Sequence, residues 1–125
     1  MEKNKNIKKL NLYNCKNIKD FNPISKLKRL EILNASNTNI SDISFLEKNK
    51  NIRELDFEYC KNIKDFNSIS KLKRLEILNV SNTNISDISF LENNKNIKEL
   101  KLNYCKNINK NDNLFSREDI EIINI

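Results

Sequence analysis

The chain contains no glycine, no histidine and no tryptophan, and only one proline, Pro23, in 125 residues. Each absence closes off a class of function. Without glycine there is no loop of the kind whose bare backbone cradles phosphates. Without histidine there is no imidazole base for a hydrolase triad, and the three cysteines have no imidazole partner for a zinc site. No apolar run approaches the roughly 20 residues that span a bilayer, and the opening Met-Glu-Lys-Asn-Lys-Asn lacks the apolar centre of a secretory signal. The carboxylates occur singly on successive units, so no acid–base pair stands out. These exclusions point to an intracellular, most simply cytoplasmic, non-catalytic chain with no cofactor, no metal, no small-molecule substrate and no membrane contact.

What the chain does contain is order in its leucines and isoleucines. In one stretch the apolar positions are Leu75, Leu78, Val80, Ile85, Ile88 and Leu91. Alternation around Leu78 and Val80 predicts a short strand, and the later steps of three predict a tight helical or extended return. Neither half can bury its apolar side alone, so the units must stack. Taking Leu10, Leu33, Leu55, Leu78, Leu100 and Ile123 as one position gives steps of 23, 22, 23, 22 and 23 residues. Residues 51–95 repeat residues 6–50 with nine differences, the mark of a duplicated two-turn unit.

A single domain over residues 1–125 is expected, with a polar lead-in over 1–6, five turns, and a sixth strand begun at Ile120, Ile123 and Ile125. The chain starts and stops within its repeats, without the polar caps that solenoids generally need. Either the array is longer, or the ends pack against something such as another copy. Ser116-Arg117-Glu118-Asp119 reads as a capping-box-like helix start before the last strand.

Cys15, Cys60 and Cys105 recur every 45 residues, two units apart. Two strand spacings place their backbones about 10 Å apart, too far for a disulfide. They are expected to be reduced core residues, in keeping with a reducing compartment.

The segment Leu30-Glu31-Ile32-Leu33-Asn34-Ala35-Ser36-Asn37-Thr38-Asn39-Ile40 and its copy from Leu75 fit L-x-x-L-x-L-x-x-(N/T/C)-x-(L/I). This pattern resembles the leucine-rich repeat family. The segment Ser41-Asp42-Ile43-Ser44-Phe45-Leu46 that follows is similar to the repeats of bacterial internalins and of phosphatase-regulatory repeat proteins. The odd units, with an extra residue after Cys15, are closer to those of ubiquitin-ligase adaptors, although no F-box-like segment precedes them. The asparagine, lysine and isoleucine bias resembles that of A/T-rich genomes, such as those of large DNA viruses or protists. The resemblance implies an α/β fold: a right-handed leucine-rich-repeat solenoid with a parallel sheet on its concave face and short helical or irregular convex returns.

By the two-residue period of a strand, residues beside the core leucines point outward on that sheet. They include five cations, Lys8, Lys9, Arg53, Lys98 and Lys101, and seven carboxylates, Glu31, Glu54, Asp56, Glu58, Glu76, Glu99 and Glu121. The net charge of +6 therefore arises on the returns, where it reads as a solvated surface, and its position argues against nucleic-acid binding. Thr38, Cys15 and their copies are placed to bond turn backbone where the chain leaves each strand.

Five of the nine differences between the copies fall around the outward strand positions: Lys8/Arg53, Lys9/Glu54, Asn11/Asp56, Tyr13/Glu58 and Asn14/Tyr59. The return text Lys-Asn-Ile-Lys-Asp-Phe-Asn is unchanged. Ile32, Ile77 and Ile122 are expected to form an exposed aliphatic row, flanked by Tyr13, Tyr59 and Tyr104. Such residues suit a contact surface, and β-branched isoleucine equally suits a strand. The reading is a module that binds a protein partner through Ile32, Ile77, Arg53, Glu54, Asp56, Glu58, Tyr59, Lys101 and Tyr104. The alternatives are a structural protein that self-associates through its ends and a substrate adaptor of a ubiquitin ligase.

Overall fold

The computed structural model describes residues 6–109 and 111–124, and in it each leucine-centred unit opens with a three-residue strand. The strands are β1 (Lys9–Asn11), β2 (Ile32–Asn34), β3 (Glu54–Asp56), β4 (Ile77–Asn79), β5 (Glu99–Lys101) and β6 (Glu121–Ile123). They form one parallel sheet in chain order, so each turn of the chain returns beside its predecessor. Leu10, Leu33, Leu55, Leu78 and Leu100 stand in one cross-strand row, as the periodicity requires. The row ends on Ile122, which pairs with Leu100, and not on Ile123, which pairs with Lys101. The last step is thus 22 residues rather than 23. The fifth return carries a shorter helical turn than the others, and Ile120 is drawn into the core beside it. Ile122 consequently leaves the expected outward row, where Glu121 takes its place opposite Glu99. Ile125, assigned to the same strand from sequence, lies outside the described residues, as does most of the polar lead-in.

One continuous core runs the length of the stack. Leu33, Leu55, Leu78 and Leu100 and the next inward residues, Ala35, Phe57, Val80 and Leu102, are buried. Burying a leucine of this size contributes about 1.5–3 kcal/mol. The opposite wall consists of short 3-10 helices at Asn22–Lys26, Ser44–Lys48, Asn67–Lys71, Ser89–Asn93 and Asn113–Ser116. Their inward residues include Ile24, Leu46, Ile69, Leu91 and Leu114. Pro23 lies in the first turn of its helix, where a missing N–H costs nothing.

An aspartate turn leads into each return. The carboxylates of Asp20, Asp42, Asp65, Asp87 and Asp112 accept from the backbone N–H two residues on, at 2.8–3.0 Å. For Asp42 and Asp87, the hydrogen bonds from Ser44 and Ser89 hold the carboxyls below their ordinary value. Asp112 thereby caps the last helix, which ends at Ser116. The expected helix start at Ser116 is not there: Arg117 is extended, and its guanidinium instead forms a two-point pair with Asp119 at 3.0 and 2.8 Å.

The chain has no glycine, yet five described residues adopt the left-handed conformation: Asn14, Asn37, Tyr59, Asn82 and Tyr104, with φ between 54° and 62°. All sit where the chain turns off its strand. Asparagine tolerates this region, whereas a bulky ring disfavours it. Beneath these turns, the Thr38 hydroxyl and the Cys60 thiol both donate to the Ala35 carbonyl, at 2.8 and 3.1 Å. Thr83 and Cys105 do the same to Val80, at 2.7 and 3.1 Å. Cys15, Cys60 and Cys105 are free thiols, and burial pushes the Cys60 thiol up from its ordinary value.

Asn49 and Asn94, both fully buried, link one turn to the next. The Asn94 amide donates to the carbonyls of Ile69 and Leu72, at 3.1 and 3.0 Å, and Asn49 does the same to Ile24 and Leu27. The oxygens of both amides are buried without a partner, so the donor side of each group carries its placement. Three variants test these turns. Asn94→Ala removes two buried amide bonds, to carbonyls that keep their backbone bonds from the Leu72 and Leu75 N–H groups, and should destabilise by about 1–3 kcal/mol in urea unfolding. Asn96→Ala, which removes only an exposed bond to Lys73, should cost less than about 0.5 kcal/mol. Tyr59→Asn, which restores the residue type of Asn14, should stabilise the fold by about 1 kcal/mol in the same assay.

Candidate functional site

The outward side chains of the sheet fall into rows that cross the strands. Immediately before the strands stand Lys8, Glu31, Arg53, Glu76 and Lys98, alternating in sign from one turn to the next. Arg53 lies between its neighbours, 3.1 Å from Glu31 and 3.6 Å from Glu76, and Lys98 is 3.5 Å from Glu76. Exposed pairs of this kind contribute at most about 1 kcal/mol each. Their effect on the site is neutralisation: Arg53, Glu31 and Glu76 satisfy one another. Sequence reading counted these charges but did not see that they alternate along a single row, although the 22- and 23-residue steps contain that information.

The next row is Lys9, Ile32, Glu54, Ile77, Glu99 and Glu121, followed by Asn11, Asn34, Asp56, Asn79, Lys101 and Ile123. Ile32 and Ile77 are half-buried, and they flank Glu54 from either side. Together with Asn34, Asp56, Asn79, Glu99 and Lys101, they line a hollow of about 290 Å³ on the sheet. The structure therefore brings together Ile32, Ile77, Glu54, Asp56 and Lys101. Glu58 continues the line of β3, where its carboxylate accepts from the Asn79 amide at 3.3 Å.

Asp56 has a second role. Its carboxylate accepts from the Glu58 N–H at 2.9 Å, the same turn that Asn11, Asn34 and Asn79 make with Tyr13, Ser36 and Ser81. At β3 the turn-forming amide is replaced by a carboxylate, and at β5 by the cation of Lys101. Desolvation raises the Asp56 carboxyl above its ordinary value of 3.8, against the Glu58 N–H bond that lowers it; the Glu58 charge adds to the rise and Lys101 opposes it. Lys101 is itself 4.0 Å from Glu99.

The three tyrosines lie at the strand-exit edge, 50–61% exposed. Tyr59 and Tyr104 occupy the left-handed position, and Tyr13 stands one place earlier, opposite Glu58 in the repeat. They are therefore a rim, separate from the Ile32 and Ile77 hollow. Tyr104 borders a second depression of about 490 Å³ with Lys61, Lys106 and three asparagines. Among the described residues no group of three or more cysteine and carboxylate side chains is placed to hold a metal ion, and no helix is long and apolar enough to cross a membrane.

The raised Asp56 pKa has a definite sign. The folded chain keeps the Asp56 proton to higher pH than the unfolded chain, so the native state loses stability as pH rises from 3.8 through the folded value. Asp56→Asn keeps the turn and removes the charge. Its unfolding midpoint should exceed the native one at neutral pH, and the gain should vanish as pH falls below the ordinary aspartate value.

A family model described as leucine-rich repeats in two copies matches residues 28–71. A comparison with curated proteins finds no match. Among solved structures, internalin C2 of Listeria monocytogenes is 26% identical with a TM-score of 0.84, covering 97% of this chain and 53% of that one. An internalin F from the same species is also 26% identical, with a TM-score of 0.76 over 85% of this chain and 31% of that one. A plant peptide hormone receptor in complex with RGF2 shares the fold at 18% identity, with a TM-score of 0.56 over 86% of this chain and 20% of that one. The chain thus spans about half or less of the length of these structures. Stacked units of 22 and 23 residues, one parallel sheet, the family model matched over residues 28–71 and the internalin likeness agree: the chain has the fold of a leucine-rich-repeat solenoid and is similar to internalins.

Proposed function

We propose that this chain is a single protein-binding module whose contact surface is the outward face of its sheet. The observation that carries this reading is the hollow lined by Ile32 and Ile77, an aliphatic pair held at half burial on a sheet whose polar backbone is already paired. Aliphatic anchors ringed by charge are the composition of contact surfaces. The two copies within the chain support it, since five of their nine differences gather around this face while the return text Lys-Asn-Ile-Lys-Asp-Phe-Asn stays fixed. The fold lends further support, because the plant peptide hormone receptor of similar architecture was solved in complex with RGF2. No comparison indicates a catalytic family, and the three free thiols suit an intracellular setting. A rigid sheet has little ordering entropy to lose on binding.

Crosslinked capture from the source cells tests the reading with the native chain, Ile77→Lys, and the return-face variant Lys64→Glu, all with matching circular dichroism. A partner lost with Ile77→Lys and retained by Lys64→Glu is the expected result. A partner retained by Ile77→Lys but lost with Lys64→Glu would move the site to the returns.

A further inference from the structure

We infer that the hollow on the sheet is shaped for a basic, extended segment of a partner protein, laid along β3 with its cations on alternate residues. This rests on the sheet-face reading above and specifies its ligand. The argument begins with what lies beside β3. Ile32 and Asn34 on one side, and Ile77 and Asn79 on the other, are uncharged, so the acidic line Glu54, Asp56, Glu58 is insulated by neutral neighbours. Arg53, the cation immediately before β3, is committed to Glu31 and Glu76. Among the described residues Glu54, Asp56 and Glu58 make no ion pair within 4.0 Å, although Lys101 is close enough to act on Asp56 and Asn79 bonds Glu58.

The duplication supplies an independent observation. At the same three places the first copy has Lys9, Asn11 and Tyr13, so each position differs between otherwise nearly identical units, and each differs in the acidic direction on β3. The third odd strand has Glu99, Lys101 and Asn103, so the line is confined to β3. A requirement of the fold would repeat with the fold. This one does not, and the Asp56 turn is made equally well by asparagine in the neighbouring strands.

Geometry then selects the ligand. Glu54 and Asp56 are two residues apart on a strand, about 6.6 Å at the usual rise, and an extended peptide presents alternate side chains at the same interval. Ile32 and Ile77, two strand spacings or about 9.5 Å apart, leave room for one such chain between them. Their methyl groups would lie against the aliphatic stems of the lysines while the ammonium ends reach the carboxylates. The net charge of +6 lies elsewhere on the molecule, which makes a basic ligand selective for this one place.

The test uses a blocked, fluorescent peptide alternating lysine with threonine, a second peptide of the same composition with its lysines in one block, and fluorescence anisotropy at fixed salt. The native chain should bind the alternating peptide about tenfold tighter than the blocked one. The combined Glu54→Gln, Asp56→Asn and Glu58→Gln variant, with unchanged circular dichroism, should abolish that preference. Equal binding of the two peptides, or a preference surviving neutralisation, would overturn the inference. So would a captured partner that is lost with Ile77→Lys but held unchanged by the neutralised variant, and that result would leave the sheet-face reading standing.

Discussion

Every turn of this chain depends on the next for its backbone hydrogen bonds. A three-residue strand has no partner within its own unit, and an unpaired buried peptide group costs as much as a lost hydrogen bond. Stacking turns in chain order solves this along the sheet, and the rest of the sequence extends the solution around the coil. Asn49 and Asn94 carry it through the buried return wall, Asn39 and Asn84 through the exposed loop where they reach the carbonyls of Lys16 and Lys61. Thr38, Cys60, Thr83 and Cys105 serve the strand exits. The abundant asparagine is therefore structural in large part, an amide donor set at the pitch of one turn.

That regularity frees the outward face. Side chains there touch few groups that the fold needs, and they can differ between duplicated units without disturbing the stack. Glycine's absence tightens the same bargain at the strand exits, where asparagine fills three left-handed turns and tyrosine two. Tyr59 and Tyr104 are held against their preference and remain exposed, an expenditure the fold does not require. The charges sort themselves as well. Alternation along the row from Lys8 to Lys98 takes up three of the five cations of the face, Lys9 and Lys101 lie in the following rows, and the acidic line is centred on β3.

The architecture was legible in the sequence because the repeat is nearly perfect from Leu10 to Leu100, and one error of register would have moved every core residue outward. It was misread at Ile123, where the unit departs from its own period and three neighbouring isoleucines fit either register equally. Spacing cannot choose between Ile122 and Ile123; Ile120 entering the core decides it. The Ser116 helix start failed because Asp112 caps the turn earlier. Of the candidate residues, Ile32, Ile77, Glu54, Asp56 and Lys101 meet in one hollow, and Glu58 extends it. Arg53 proves to be a spacer between carboxylates, and the tyrosines form a rim. Those distinctions depend on contacts between residues 22 or more apart, which a one-dimensional pattern lists without pairing.

The most direct measurement of the central claim is a methyl-resolved NMR titration of isoleucine-labelled chain with the alternating basic peptide or with a captured partner. The account predicts that the methyl signals of Ile32 and Ile77 shift together, while those of buried Ile43 and Ile88 stay in place. Shifts confined to other isoleucines, with Ile32 and Ile77 unmoved, would contradict it.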